Sequence, residues 1–224
     1  WDSEHKGKCK ISSYFNGEII STDERNLDEF PTFIRFNEAV PILRKVEKKK
    51  LGNIVDQISS RKPFRFATNF EDFSEKESKN SVFIYANKKQ GWVKRSKVKL
   101  NEDLINKFKV LLPKAGEGSP VLPNNIIGKP ILTKKNSVCT ETYIILGSYD
   151  KISDAEKFLS YVKTKFFRML LHLKKPTQDN PKQTFYYVPK MKMDQEWTDE
   201  KLYSYFELSK EEIEFIDEHI KEMK

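Results

Sequence analysis

Between Lys88 and Lys99 the sequence places six cations around one tryptophan, Trp92. Lysine and arginine at this density suit phosphate oxygens, because each contact releases a condensed counterion. Lys88, Lys89, Lys94 and Arg95 are candidate phosphate contacts, and Gln90 and Arg95 are long and polar enough to reach base edges. The same run would also serve as a solvated edge strand whose lysines block aggregation. A second group brackets a loop running from Lys114 through Lys129 to Lys134-Lys135-Asn136. Its glycines, in Gly116-Glu117-Gly118, let backbone approach a ligand closely. A flexible connection is the alternative there. The third group is Lys174-Lys175-Pro176-Thr177-Gln178-Asp179-Asn180-Pro181-Lys182-Gln183, joined by Lys163, Lys165 and Arg168 just upstream. Glutamine and asparagine each offer a donor and an acceptor, as bidentate contact with adenine requires. Lysines at a helix C-terminus are also favoured by the helix dipole alone.

Residue sets for bond-making chemistry are sparse. Asp72, Glu75, Glu77 and Lys79 offer the carboxylates and lysine of a metal-dependent nuclease. They sit in a polar, turn-like segment and not on two facing strands. The histidines His5, His172 and His219 are scattered, and Cys9 and Cys139 lack metal-ligand spacing. The expectation is a chain with no catalytic residues and no metal. A metal-dependent nuclease and an RNA- or protein-interaction module remain the alternatives.

The elements that must carry these residues follow from periodicity and turn chemistry. Asn16-Gly17 between Lys10–Phe15 and Glu18–Ile20 suits a two-residue type I′ turn. Asn37 is expected to cap a helix to about Lys49, with Val40, Leu43 and Val46 as its stripe and Pro41 in its first turn. Ser81–Ala86 and Gly91–Lys94 form a second hairpin, and Asn101 caps a short helix. Val110–Leu112, Ile131-Leu132, Thr142–Leu146 and Phe185–Val188 are expected strands. Ser153-Asp154-Ala155-Glu156 forms a capping box, followed by apolar residues at helical spacing from Ala155 to Leu173, about five turns. Thr198 and Ser209 begin short helices, the second with its own box to Glu212. The pairs Phe166-Phe167 and Tyr186-Tyr187 are assigned to the core. The sum is an α+β fold: a mixed, mainly antiparallel sheet with hairpins, packed against one long helix and short C-terminal helices.

Across 224 residues the formal charge is +8, but it is unevenly distributed. From Glu196 onward ten acids face four lysines, so the preceding 195 residues carry +14. A basic body of this size favours a polyanionic partner. The acidic tail should turn away from it, packing against another domain or capping the core. No run approaches the roughly 20 apolar residues of a membrane span, and no signal peptide opens the chain. A soluble, cytoplasmic protein is expected, and a start at Trp1 points to a piece of something longer.

The order KVLLPKAGEGSP, GKPILTKKNSVCTETYIILGSYD, DAEKFLSYVKTKFFRMLLHLKKPTQ, over Lys109–Gln178, resembles the C-terminal target-recognition domain of adenine-specific DNA methyltransferases from Type II restriction–modification systems. The resemblance continues through Phe185–Pro189, Glu196-Trp197-Thr198-Asp199, Leu202-Tyr203 and Ser209–Ile220. Upstream it touches Trp1-Asp2, Lys6-Gly7-Lys8-Cys9 and Thr32–Ala39. It implies a module that binds double-stranded DNA beside a catalytic methyltransferase domain of the same polypeptide, in some relatives fused to a restriction nuclease. S-adenosylmethionine would belong to that domain. Its methyl-transfer loop is not matched here: Asn180-Pro181-Lys182-Gln183 lacks the second proline and the aromatic residue, and is expected to be a surface loop. No helix follows Gly116-Glu117-Gly118 to make a cofactor turn. On this resemblance residues 1–100 form an N-terminal part, hairpins plus helix, that links to the catalytic domain. Residues 101–224 form the recognition core with its acidic helical end, and the two parts make one continuous domain. Lys174, Lys175, Thr177, Gln178, Lys182 and Gln183 would face DNA, together with Lys114, Lys134, Lys135, Lys163 and Arg168.

Overall fold

A computed structural model describes residues 4, 7–15, 17–116 and 121–223. The sequence features at Trp1-Asp2, His5, Lys6, Asn16 and Glu117–Pro120 lie outside these residues. The chain opens with an antiparallel hairpin, β1 (Cys9–Phe15) and β2 (Glu18–Arg25), in which Phe15 pairs with Glu18. That register leaves two residues for the turn, as the Asn-Gly pair requires. Helix α1 (Ala39–Lys48) buries Ala39, Val40, Ile42, Leu43 and Val46. Asn37 does not cap it: the Asn37 amide donates to the Ile11 carbonyl and to Ser21 Oγ, both at 3.1 Å. The polar side chain thereby ties the hairpin to the helix.

Two three-stranded sheets follow. β3 (Ser81–Tyr85) lies between β4 (Gln90–Lys94) and β7 (Ser137–Cys139), and β5 (Phe108–Pro113) lies between β6 (Ile131–Leu132) and β8 (Tyr143–Tyr149). Among the described strands only β3 and β7 pair in parallel. The fold is therefore α+β and mainly antiparallel. Strand β7 escaped sequence reasoning because Ser137–Cys139 is too short to show a period. Phe185–Val188, expected as a strand, is a turn entered through a 3-10 segment at Lys182–Phe185. Asn101 takes a left-handed conformation, φ 54°, and donates to the Pro63 carbonyl at 2.7 Å instead of capping.

The long helix is two helices. α2 (Ile152–Lys163) ends and α3 (Lys165–Lys174) begins at Thr164, whose backbone is extended. Apolar periodicity continues across the break, so the sequence pattern cannot reveal it. The cause is capping: Thr164 Oγ1 accepts from Phe167 N at 3.1 Å, and the Asp199 carboxylate accepts from Lys165 N and Phe166 N, each at 2.9 Å. Three of the four orphan amides that open a helix are thus satisfied. At the other end of α2 no side chain caps, and the hydroxyl of Ser153 lies 3.4 Å from Asp154, so the expected box does not form. The box at Ser209 and Glu212 does form, opening α5 (Lys210–His219), while Thr198 caps α4 (Asp199–Tyr205).

Strand β5 separates two cores. Val110 and Leu112 join α1, α2, α3 and the C-terminal helices, whereas Leu111 joins Phe64, Val82, Ile84, Val93 and Val138. On β8, Ile144 and Leu146 face the first core and Ile145 the second. Each core draws on residues from both sides of residue 100. On the same strand Lys109 is fully buried, and its ammonium donates to the carbonyls of Lys107 at 2.7 Å and Leu104 at 2.8 Å. Burial lowers the Lys109 pKa to about 8 and raises that of the buried Cys139 thiol to about 12.

These shifts have opposite signs in stability. The unfolded chain binds the extra proton on Lys109 between pH 8 and 10.5, so stability rises with pH in that window. Cys139 reverses this above pH 9, where the unfolded thiol ionises and the folded one does not. Urea unfolding between about pH 7 and pH 9 should show the rise, to which the buried Lys175 contributes with the same sign, and Lys109→Met should remove roughly half of it. In a separate measurement at neutral pH, Asp199→Ala should cost about 2 kcal/mol by leaving the α3 amides uncapped.

Candidate nucleic-acid interface

Alternation along β4 selects one face of the second sheet. Gln90, Trp92 and Lys94 point one way, while Gly91 and Val93 point into the second core. Cross-strand register places Tyr85 opposite Gln90, Phe83 opposite Trp92 and Ser81 opposite Lys94. The Phe83 and Trp92 rings meet edge to face at 5.3 Å. Lys134, delivered by the segment before β7, sets its ammonium 4.4 Å from the Phe83 centroid and 5.0 Å from that of Trp92. Lys135 lies 5.1 Å from the Phe108 ring. The first and second basic segments therefore share a surface that is aromatic in its middle and cationic at its margins. Arg95, half-buried, follows directly on Lys94 in a 3-10 turn. Lys88 and Lys89 are exposed at the hairpin tip, where Lys89 pairs with Glu71 at 2.7 Å. Phe83 was missed because its alternation in β3 reads as core.

The second and third segments meet elsewhere. Residues 114–116 pair with 178–180: Asn180 N donates to Lys114 O at 2.7 Å and Gly116 N to Gln178 O at 2.8 Å. The Lys175 ammonium donates to Ile126 O at 2.7 Å and lies 2.5 Å from where a Gly116 Cβ would stand. That Cβ would also overlap Ile126 O, so close packing dictates glycine here. Asn180 is not part of a surface loop, being only 2% exposed. Lys114 and Lys182 line one cavity of about 330 Å³ with Asn180 and Arg61, which no sequence pattern had singled out.

Several candidates leave the interface. Arg168 is fully buried; its guanidinium donates to Lys163 O, Thr164 O and, at 2.7 Å, Lys221 O. A cation on a helix start that serves its own carbonyls is structural. Lys175 is 8% exposed, and burial lowers its pKa to about 8. Lys163 lies in a cleft with Asp199, Glu200, Asp217 and Glu222, a setting that repels phosphate. Lys174 lies 4.5 Å from the Tyr186 ring. Thr177, Gln178 and Gln183 are exposed.

The acidic tail caps the first core and bonds to other elements. Glu212 pairs with Lys45 at 2.6 Å, Glu207 with Lys49 at 2.9 Å and Asp217 with Lys165 at 2.7 Å. Among the described residues no three His, Cys, Asp or Glu side chains converge as a metal site, and Asp72 pairs with Lys97. No described helix is long and apolar enough to cross a membrane. Comparison with protein-family models, curated proteins and solved structures yields no match. The class defined by fold and site is thus an α+β protein with a basic, aromatic sheet face.

Gly116→Ala should separate the 114–116 and 178–180 segments and cost about 1–3 kcal/mol. Hydrogen exchange of the Gly116 and Asn180 amides should accelerate together.

Proposed function

We propose that this chain is the DNA-recognition module of an adenine-N6 methyltransferase from a restriction–modification system, performing no chemistry of its own. Methyl transfer from S-adenosylmethionine to a flipped adenine would fall to a catalytic domain of the same polypeptide, with or without a fused nuclease. The observation that carries the proposal is the β4 face, where Gln90, Trp92 and Lys94 align beside Phe83 and Lys134. Lysines at its margins suit phosphates, and the Gln90 amide suits a base edge, where a bidentate contact discriminates by about 1–3 kcal/mol. Flipping a base costs a few kcal/mol, which phosphate contacts made by this domain would offset. The likeness of Lys109–Gln178 to target-recognition domains gives the proposal its enzyme context.

Binding to a randomised duplex pool, with the bound fraction sequenced, should return a short motif containing adenine. About six phosphate contacts would give a log–log salt slope near −5. The double variant Lys94→Glu, Lys134→Glu should weaken low-salt binding by roughly 100-fold while retaining its circular dichroism. Absence of binding at low salt would sink the proposal. Equal binding of RNA hairpins and random duplex would favour a non-specific RNA module, and metal-dependent cleavage by the isolated chain would favour a nuclease.

A further inference from the structure

Between helix α5 and the first hairpin lies a groove of about 590 Å³, inside the roughly 300–1,000 Å³ range of ligand pockets. Its apolar wall is Ile20, Leu122 and Phe215. Ile20 is the extra residue of a bulge, since Ser13 pairs with Ser21 and Tyr14 with Ile19, and it is 49% exposed. A bulge re-aims the side chain it leaves out of the ladder. The rest of the wall is acidic. Glu211, Glu214 and Glu218 recur at helical spacing on α5, and Glu38, just before α1, adds a fourth carboxylate. The chain holds 41 lysines and arginines, yet none stands among the described lining residues. Glu207, Glu212 and Asp217 of the same tail pair with lysines, whereas Glu211, Glu214 and Glu218 form no ion pair among the described residues. Their placement is unfavourable for the helix itself. Glu214 and Glu218 are like charges four residues apart, and Glu218 sits in the last turn, where the helix dipole disfavours a carboxylate. His219, 9% exposed, also lines the groove. Its Nδ1 lies 2.7 Å from Phe215 O, and a carbonyl only accepts, so Nδ1 donates. Nε2 of the neutral ring is then an acceptor; no described residue bonds to it, and it is not sealed from solvent.

We propose that this groove docks a basic segment of a partner protein, its lysines or arginines on the carboxylates and an aliphatic side chain against Ile20, Leu122 and Phe215. The polar groups of the wall are acceptors, so the occupant must donate, and ammonium and guanidinium groups donate without accepting. The apolar wall adds what a bare cation cannot use, and among the described residues no carboxylates converge as a metal site. Phosphates are repelled from these acids, so the partner and a duplex on the β4 face take different surfaces. The inference goes beyond DNA recognition and does not depend on it.

Fluorescence anisotropy of short labelled peptides with the whole chain tests it. A peptide of leucine and lysine should bind, one of serine and lysine should bind roughly ten-fold weaker, and one of leucine and glutamate should not bind. Glu214→Lys with Glu218→Lys, both exposed and therefore tolerated by the fold, should weaken the leucine–lysine peptide about 30-fold. Ile20→Ser should weaken it about five-fold. A thermal melt of each variant checks that the fold is retained. Glu75→Lys with Glu77→Lys, at exposed carboxylates that do not line the groove, should change binding by less than about two-fold. Equal loss in that control would reduce the attraction to net charge and overturn the proposal. So would no binding of the leucine–lysine peptide, equal binding of the serine–lysine peptide, or binding unchanged by the α5 reversals. Self-association of the chain that the α5 reversals abolish would assign the groove to a second copy and overturn it too. If the duplex pool shows no binding while the leucine–lysine peptide still binds, the DNA-recognition proposal fails and this one stands.

Discussion

Strand β5 has no face turned to water. Its successive side chains, Val110, Leu111 and Leu112, are each fully buried, and period-two alternation sends them to opposite cores. β8 repeats the arrangement with Ile144, Ile145 and Leu146. The register shifts between Val110 and Leu111, leaving Leu146 as the extra residue of β8 and setting Gly147 opposite Val110, where it lets the rings of Phe158 and Tyr149 close against bare backbone. Both candidate surfaces hang from this wall. The aromatic sheet belongs to the core on one side of it, while the cavity opens where β5 runs out at Pro113. Removing either hydrophobic face would therefore release a surface from its support without touching a polar residue.

Charge is partitioned by the same architecture. The C-terminal helices pack on the first core and bring their carboxylates to Lys45, Lys49 and Lys165. Lys45, Lys49 and Lys165 are thus consumed within the molecule. Those around β4, the segment before β7 and the 114–116 loop are mostly set against aromatic rings or solvent. A net charge read from the sequence says nothing of this division, which depends on which lysines the tail can reach.

Much of the fold was legible where one physical signal acted alone. The two hairpins, the strands at Val110–Leu112, Ile131-Leu132 and Thr142–Leu146, and the Ser209 capping box follow from local chemistry and appear in place. Legibility failed where distant residues intervened. Asp199 breaks a helix that its own sequence would continue, and Asn37 spends its amide on a hairpin more than fifteen positions away instead of on a cap. The site divided in the same way. Gln90, Trp92 and Lys94 could be grouped because two-residue spacing puts them on one face. Arg168 and Lys175 were misplaced because a buried cation solvated by carbonyls has no sequence signature. Asn180 was hidden for the converse reason, since proline and lysine neighbours make a loop look solvated.

The pairing of 114–116 with 178–180 has a consequence for how such a protein can diversify. Two loops more than sixty residues apart share one short ladder, and Lys175 bolts a third segment, at Ile126, to the same point. An insertion in either loop would be felt by both. New ligand preferences are therefore more accessible through side-chain replacement on this clasp, or through the β3–β4 hairpin with its open tip, than through exchange of one loop between proteins. The clasp behaves as a single heritable part that the chain happens to encode in two places.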